Sequence, residues 1–249
     1  MLQDPALLAA AAATFLLAGT VKGVIGLGLP TITLGLMTLL LDLPSAMALL
    51  IVPSLATNLW QAAIGGHALD ILRRTWPFLL MATVTIWIGA LALSRVDLSY
   101  LSALLGLLLV AYAAIGLAGF RLSLPPRAVF WSGPLFGIAN GVLTGMTGSF
   151  MVPGVLYLQA LGMPRDMLVQ AMGMLFMAST AGLAVALGGN VHIDAELGLA
   201  SALGLVPAIL GMILGRKIRS LLSETRFRLI FFMGILALGL YIAVSTLIA

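Results

Sequence analysis

The sequence has no cysteine and little charge. Only 8% of its 249 residues are Asp, Glu, Lys or Arg, and two residues are histidines. Without cysteine the chain cannot form disulfide bonds, thiolate metal sites or a thiol nucleophile. Two histidines without a cluster of acidic residues leave no plausible metal site. We therefore expect no metal and no other cofactor.

Apolar residues dominate instead, at 62% of the chain, with a mean hydropathy of +1.19. A soluble domain needs far more polar surface, so the composition predicts an integral membrane protein. The apolar stretches have the length of helices, not of the short alternating strands of an outer-membrane barrel. The predicted fold class is therefore all-α and polytopic. We count ten apolar segments, at residues 5–22, 29–41, 45–65, 75–93, 98–119, 128–147, 150–162, 166–187, 196–215 and 227–248.

Two of these segments are short, and each follows a glycine-rich break. The breaks read GVIGLGLP at residues 23–30 and GVLTGMTG at residues 141–148, and the segments after them, 29–41 and 150–162, are shorter than the roughly 20 residues of a full crossing. Lipid cannot hydrogen-bond the backbone that such a break exposes, so protein or a water-filled cavity must cover it. The sequence leaves open whether the short segments cross the membrane or return as hairpin arms.

The two breaks belong to an internal repeat, which we place at residues 1–122 and 123–249 of a single membrane domain. Lys22 and Gly23 align with Asn140 and Gly141, and further glycines and prolines follow in the same order in both halves. Five segments per half is an odd number, so the second half enters the membrane from the opposite side. Such inverted repeats place a transport site near the midplane, between broken helices.

The basic residues give the predicted orientation. If successive loops alternate between the two sides, eleven of the twelve Lys and Arg residues fall on one side and Arg95 alone on the other. Short loops rich in Lys and Arg stay in the cytoplasm, so we expect both termini outside it. Lys22 is the exception, because a re-entrant arm would hold it within the membrane.

The residues around the breaks also resemble a known family. The runs AGTVKGVIGLGLPTITLGLM and GIANGVLTGMTGSFMVPGVLYLQALGMPRDMLVQAMG are similar to the two halves of sulfite exporter TauE/SafE-type (TSUP) permeases. The first break carries fewer consecutive glycines than the family's usual pattern. The resemblance implies a bacterial inner-membrane permease for small sulfur-containing or organic anions such as sulfite or sulfonates. It leaves the substrate, the direction of transport and the coupling ion open.

An anion site needs hydrogen-bond donors and positive charge. Half-helix N-termini opening at the two breaks would aim free N–H groups at one point, and glycine lets the backbone approach a ligand closely. The alternative is that the glycines serve helix packing, as small residues commonly do in membranes. The candidate binding residues in the breaks are Gly23, Gly26, Gly28, Gly141, Thr144, Gly145, Thr147, Gly148 and Ser149.

Four longer side chains complete the candidate site. Lys22 would supply a fixed positive charge, or else it is a flanking lysine that extends to the headgroups. Its repeat partner Asn140 is neutral, so the two half-sites differ chemically. In the third segment Asn58 and Gln61 share a face with other polar residues, either as a pathway lining or as interhelical hydrogen bonds. Gln170 is the polar group expected in the matching helix of the second half.

The predicted function is a permease for a small anion that works by alternating access and is not an enzyme. One alternative is a non-transporting membrane subunit that anchors a partner protein. A less favoured one is an intramembrane enzyme, for which Ser149 has no predicted base at its depth. The expected partners are the anion and the lipid bilayer, with no nucleic acid. Homo-oligomerisation is left open.

Overall fold

The computed structural model describes residues 4–120, 122–190, 195–219 and 223–248. Within these ranges the chain is helical and has no β-strand, so the all-α prediction is confirmed. The helices are α1 (Pro5–Ile25), α2 (Leu29–Met37), α3 (Leu43–Ala63), α4 (Ala68–Val84), α5 (Ile86–Ala90), α6 (Leu98–Ala118), α7 (Pro126–Thr147), α8 (Gly154–Ala160), α9 (Arg165–Asn190), α10 (Ala195–Arg219) and α11 (Glu224–Ile248).

The helices α4 and α5, with a short 3₁₀ turn at Leu91–Ser94, follow one another as a single apolar stretch, Ala68–Ser94. Counted in this way, the described residues form the ten predicted segments. The predicted fourth segment, 75–93, begins too late, because Arg73 and Arg74 continue the helix instead of ending it. Similarly, the first segment extends beyond residue 22 to Ile25.

Seven stretches of the described chain are long and apolar enough to cross a membrane. The short helices α2 and α8, with 9 and 7 residues, are not among them. Neither is α7, which has 22 residues but whose apolar face is diluted by glycines and by Asn140. The protein is therefore a polytopic membrane protein in which both broken regions contain a short helix.

Aspartates at the segment ends start several helices. The Asp4 carboxylate accepts from the backbone of Ala6 at 2.9 Å, and Asp42 accepts from Ser45 at 2.7 Å. Asp97 accepts from both the backbone and the hydroxyl of Ser99, at 2.9 Å each, and these bonds lower the pKa of its carboxyl. Such caps satisfy backbone N–H groups that have no partner in the first turn of a helix. These three aspartates thus act as helix N-caps.

Helix packing places α3 and α9 at the centre of the bundle. They pack against each other and are the most buried of the membrane-spanning stretches. Around them α1 packs on α10, α7 packs on α4 and α5, and α6 packs on α11. The two breaks therefore connect peripheral helices, α1 and α7, to short helices that reach toward the α3–α9 centre.

Candidate substrate site

Lys22 lies in the last turn of α1, and its side chain points into the protein. Only 3% of the residue is exposed. Its amino group donates to the Thr57 hydroxyl at 3.0 Å and to the side-chain oxygen of Asn58, both on α3. The alternative in which Lys22 extends to the headgroups is therefore wrong for this structure. The lysine is an internal basic residue.

The hydrogen bonds of Lys22 continue into a buried polar chain that joins α1, α3 and α9. The amide nitrogen of Asn58 donates to the Ser54 hydroxyl at 2.9 Å, and the hydroxyls of Ser54 and Thr180 lie 3.0 Å apart. Thr180 in turn donates to a backbone carbonyl of its own helix at 2.6 Å. These four side chains and that of Thr57 are all at most 3% exposed. The polar face predicted on the third segment thus faces protein.

Among the described residues, no acidic side chain bonds the Lys22 amino group. Its two hydrogen-bond partners, Thr57 and Asn58, are neutral, and the part of the chain that the structure describes contains no cluster of three metal-ligating acids or histidines. Burying a cation without a counter-charge is costly, and ionisable groups kept inside a membrane protein commonly mark substrate or ion pathways. A buried ammonium beside neutral donors and acceptors is chemically suited to a small anion.

The first break lies where the sequence predicts it. Gly26 (φ 81°) ends α1 and donates its N–H to the Lys22 carbonyl at 2.8 Å, and Gly28 (φ 110°) precedes α2. Both conformations are left-handed, which glycine adopts without the penalty that a Cβ brings. No side chain caps the N-terminus of α2. The hydroxyl of Thr31, in its first turn, is buried and has no hydrogen-bond partner among the described residues.

The second break is displaced from its predicted position. The half-helix expected to open at residues 145–149 does not begin there, because α7 continues through Gly145 to Thr147, and α8 starts only at Gly154. Gly148 (φ 72°) ends α7. The Thr144 hydroxyl donates to the Ser149 carbonyl at 3.0 Å, and the Thr147 hydroxyl accepts from the Ser149 N–H at 3.3 Å. Both hydroxyls thus bond the backbone of Ser149 and stabilise the conformation of the second break.

Asn140, the repeat partner of Lys22, is fully buried in α7. Its side-chain oxygen accepts from the N–H of Gly154, the first residue of α8, at 2.9 Å. Its amide nitrogen has no hydrogen-bond partner among the described residues, and neither does the buried hydroxyl of Ser179 on α9. A Cβ at Gly154 would overlap the Asn140 oxygen and also press on Leu175 of α9. Asn140 thus fixes the start of α8 and offers an unused donor.

Three of the candidate glycines lie at helix contacts. A Cβ at Gly23 would overlap the Met212 carbonyl on α10, and a Cβ at Gly145 would overlap the Ile86 carbonyl on α5. Gly141 likewise faces Thr85. Close backbone approach through small residues is the usual mode of helix packing in membranes. We therefore explain these three glycines by packing and do not include them in the proposed site.

Gln61 and Gln170 join α3 to α9 at another place. The Gln61 amide donates to the Val169 carbonyl at 2.8 Å, and the Gln170 amide donates to the Ala62 carbonyl at 2.8 Å. The Gln170 oxygen also accepts from the backbone of His67 at 2.9 Å. The side-chain N–H groups of both glutamines thus donate to backbone carbonyls. The role of these residues in substrate binding stays a prediction.

Some polar groups of the site were not found from the sequence. Gln170 was expected to be the one polar counterpart on the matching helix of the second half, but Thr180 reaches the Ser54 hydroxyl and Ser179 is also buried. The repeat alignment placed Ala178 and Ala181 opposite Asn58 and Gln61, and it therefore passed over the two hydroxyls between them. Both hydroxyl residues are visible in the sequence of this apolar segment, and a search for hydroxyl residues along the whole segment, without the repeat alignment, identifies them.

A bundle of membrane-spanning helices with two broken helices and an internal cation is the architecture of a membrane transporter. The family comparison agrees. The model of the family described as sulfite exporter TauE/SafE matches residues 11–242, so the chain belongs to this transporter family, as its resemblance implied. No curated protein and no solved structure matches the chain.

Proposed function

We propose that the protein is a permease for a small anion, such as sulfite, a sulfonate or another sulfur-containing or organic anion, and that Lys22 binds it. The observation that carries this proposal is the buried amino group of Lys22, whose side-chain partners among the described residues are the neutral Thr57 and Asn58. An anion arriving there would supply the missing counter-charge. The family's description names sulfite, and this supports the substrate class.

Two further groups belong to the proposed site. The Asn140 amide nitrogen is a buried donor without a partner among the described residues, and the Thr31 hydroxyl is a buried group of the same kind at the N-terminus of α2. The positive end of a helix dipole favours an anion. We propose that rearrangement of the two breaks brings these groups to the anion at different stages of transport.

Alternating access follows from the proposed inverted repeat, 1–122 and 123–249. In that alignment α1 corresponds to α7, and α10 corresponds to the stretch that contains α4 and α5. The contacts of α1 with α10, and of α7 with α4 and α5, are then matching pairs, and α3 with α9 and α6 with α11 are self-matching pairs. This correspondence supports two halves that rock against each other around a fixed site.

We also propose a location and an orientation. The protein would lie in the inner membrane of a bacterium, with both termini outside the cytoplasm. The support is the distribution of Lys and Arg among the loops. We call the side that carries these residues the basic side.

The first experiment measures anion binding by thermal unfolding. A ligand that binds only the folded protein raises its melting temperature. Detergent-purified protein should therefore be stabilised by at least one of sulfite, sulfate, thiosulfate, a sulfonate or a small carboxylate, relative to chloride at equal ionic strength. A melting temperature that responds to none of them would contradict the permease proposal. It would favour instead the non-transporting subunit, which would be tested by co-purification of a soluble partner.

A further inference from the structure

A groove opens between the membrane-spanning helices α3 and α10, on the outside of the bundle. Its volume is about 310 Å³, and α3 lines it with Ala56, Thr57 and Trp60. Trp60 is 56% exposed, and Ile213 on the opposite wall is 50% exposed, so the groove faces the surroundings of the protein. Around a membrane-spanning stretch these surroundings are lipid. We call this feature the α3–α10 groove.

The groove forms because α10 is held by contacts elsewhere along its length. A Cβ at Gly211 or Gly215 would overlap backbone carbonyls of α1, so one face of α10 packs closely on α1. Nearer the start of α10, the Ser201 hydroxyl accepts from the Val52 N–H of α3 at 3.1 Å. The groove begins beyond this bond and runs toward the C-terminal ends of both helices.

The wall that α10 contributes is an apolar stripe with an arginine at one end. Leu205, Ile209, Met212 and Arg216 follow one another at helical spacing and line the groove together. The stripe from Leu205 to Arg216 is about 16 Å long. Arg216 lies in the last turn of α10, and Trp60 lies in the last turn of α3. The arginine and the tryptophan therefore mark the same end of the groove.

This arrangement matches the chemistry of an anionic phospholipid. The apolar stripe suits an acyl chain, and the planar fork of a guanidinium suits a phosphate. Tryptophan is enriched at the level of the lipid headgroups, and Lys and Arg near the membrane surface attract anionic lipids. None of the described residues that line the groove is Asp or Glu, so no acidic side chain of the wall repels such a headgroup.

We infer that the α3–α10 groove binds one anionic phospholipid from the leaflet of the basic side, with an acyl chain along α10 and the phosphate on Arg216. Thr57, whose hydroxyl accepts from the Lys22 amino group, lines the same groove. The bound lipid therefore lies against a residue that also holds Lys22. The lipid site is distinct from the proposed anion site, so it can be tested without measuring transport.

Native mass spectrometry tests whether the groove prefers an anionic phospholipid. The purified protein is titrated with phosphatidylglycerol or with phosphatidylethanolamine of the same acyl chains, and binding of the first lipid is quantified. The wild type should bind the first phosphatidylglycerol about fivefold more tightly than the first phosphatidylethanolamine, as expected for one basic residue near the headgroup. Arg216→Gln should lose this preference. Equal affinity of the wild type for the two lipids would overturn the inference.

Two matched pairs of variants separate the groove from the rest of the surface. Arg219→Gln removes another exposed arginine of the last turn of α10, which does not line the groove, and it should keep the preference that Arg216→Gln loses. Ile213→Trp should fill the groove and weaken binding of the first lipid of either kind. Leu214→Trp should not, since Leu214 is 45% exposed on the same helix outside the groove. Equal behaviour of the two members of either pair would overturn the inference.

A second measurement locates the lipid. Replacing Trp76, Trp87 and Trp131 by Phe leaves Trp60 as the one tryptophan of the four in the chain. In phosphatidylcholine vesicles, its fluorescence should be quenched more strongly by a small fraction of brominated phosphatidylglycerol than by the same fraction of brominated phosphatidylethanolamine. Arg216→Gln should remove this difference.

The control for this measurement is a variant that keeps Trp131 alone, which is 74% exposed on α7. Both brominated lipids should quench it equally. Equal quenching of Trp60 by the two lipids would contradict the inference. A Trp60 that neither lipid quenches would also contradict it, and would indicate that a second copy of the chain covers the groove.

Discussion

The Lys22 amino group on α1 donates to the side-chain oxygen of Asn58 on α3, inside the bundle. The Asn58 amide nitrogen donates to the Ser54 hydroxyl. This hydroxyl lies 3.0 Å from the Thr180 hydroxyl on α9. One lysine is thereby connected to both central helices. A movement of α1 relative to α3 would break the contact of Lys22, and a movement of α9 relative to α3 would break the contact between Ser54 and Thr180.

Asn58→Asp should weaken anion binding at Lys22 without unfolding the protein. A carboxylate at this position would pair with Lys22 and neutralise the charge that the anion requires. We expect the dissociation constant for sulfite to rise at least about tenfold, equivalent to about 1.4 kcal/mol. Isothermal titration of purified protein measures this change. Asn58→Ser, which keeps a neutral acceptor, is the control and should bind more tightly than the aspartate variant. Wild-type affinity in Asn58→Asp would show that the anion does not use Lys22.

Asn140→Asp should remove the anion-binding role that we propose for this residue. The aspartate keeps the oxygen that accepts from the Gly154 N–H, but it removes the unpartnered amide donor and adds a negative charge. The melting temperature should fall in both variants, because Asn140→Asp buries an unpaired carboxylate and Asn140→Leu leaves the Gly154 N–H unsatisfied at a cost of about 1–3 kcal/mol. Sulfite flux should fall sharply in both variants. Full flux in Asn140→Asp would remove Asn140 from the site.

Gly145→Ala should destabilise the protein without weakening the anion affinity of the folded fraction. The added methyl would overlap the Ile86 carbonyl where α7 packs on α5, and overpacking of this kind costs about 1–3 kcal/mol. Gly234→Ala on α11 is the matched control, since no atom lies within 4 Å of its Cβ position. Thermal unfolding with and without sulfite measures both quantities. A normal melting temperature with lost affinity would return Gly145 to the binding site.

Gln170→Leu should lower stability and leave KM unchanged. The side chain bonds the Ala62 carbonyl at the end of α3 and the His67 N–H at the start of α4, so its removal leaves these two backbone groups unsatisfied. The expected loss is about 1–3 kcal/mol. Chemical unfolding in detergent and a flux measurement on the folded protein report the two effects. A raised KM at unchanged stability would support the original prediction that Gln170 binds substrate.

The sequence predicted most of the architecture because hydropathy and charge constrain a membrane protein strongly. The ten segments and the shortness of α2 and α8 follow from the lengths of the apolar stretches and the positions of the two glycine-rich breaks. Helix ends were less predictable. The fourth segment begins seven residues earlier than expected, at Ala68 instead of 75, since exposed arginines are compatible with a helix that extends out of the apolar layer.

The candidate site was predicted only in part, because composition does not reveal which side a small residue faces. Lys22 and Asn58 were identified separately, and the structure joins them in one hydrogen bond. Gly141 and Gly145 have the same sequence signal as Gly148, yet they pack against helices, and only Gly148 takes the left-handed conformation. Such distinctions depend on neighbours that are distant in sequence. The contribution of Thr180 is another case, since it depends on the packing of α9 against α3.

The most direct test of the central claim is sulfite flux through Lys22→Met in proteoliposomes, compared with Lys22→Arg and with the exposed control Arg127→Gln. Methionine keeps much of the side-chain length and removes the charge. Incorporation of each variant into the vesicles is quantified first. The account predicts that Lys22→Met abolishes flux, that Lys22→Arg retains measurable flux and that Arg127→Gln matches the wild type. Wild-type flux through Lys22→Met would contradict the account.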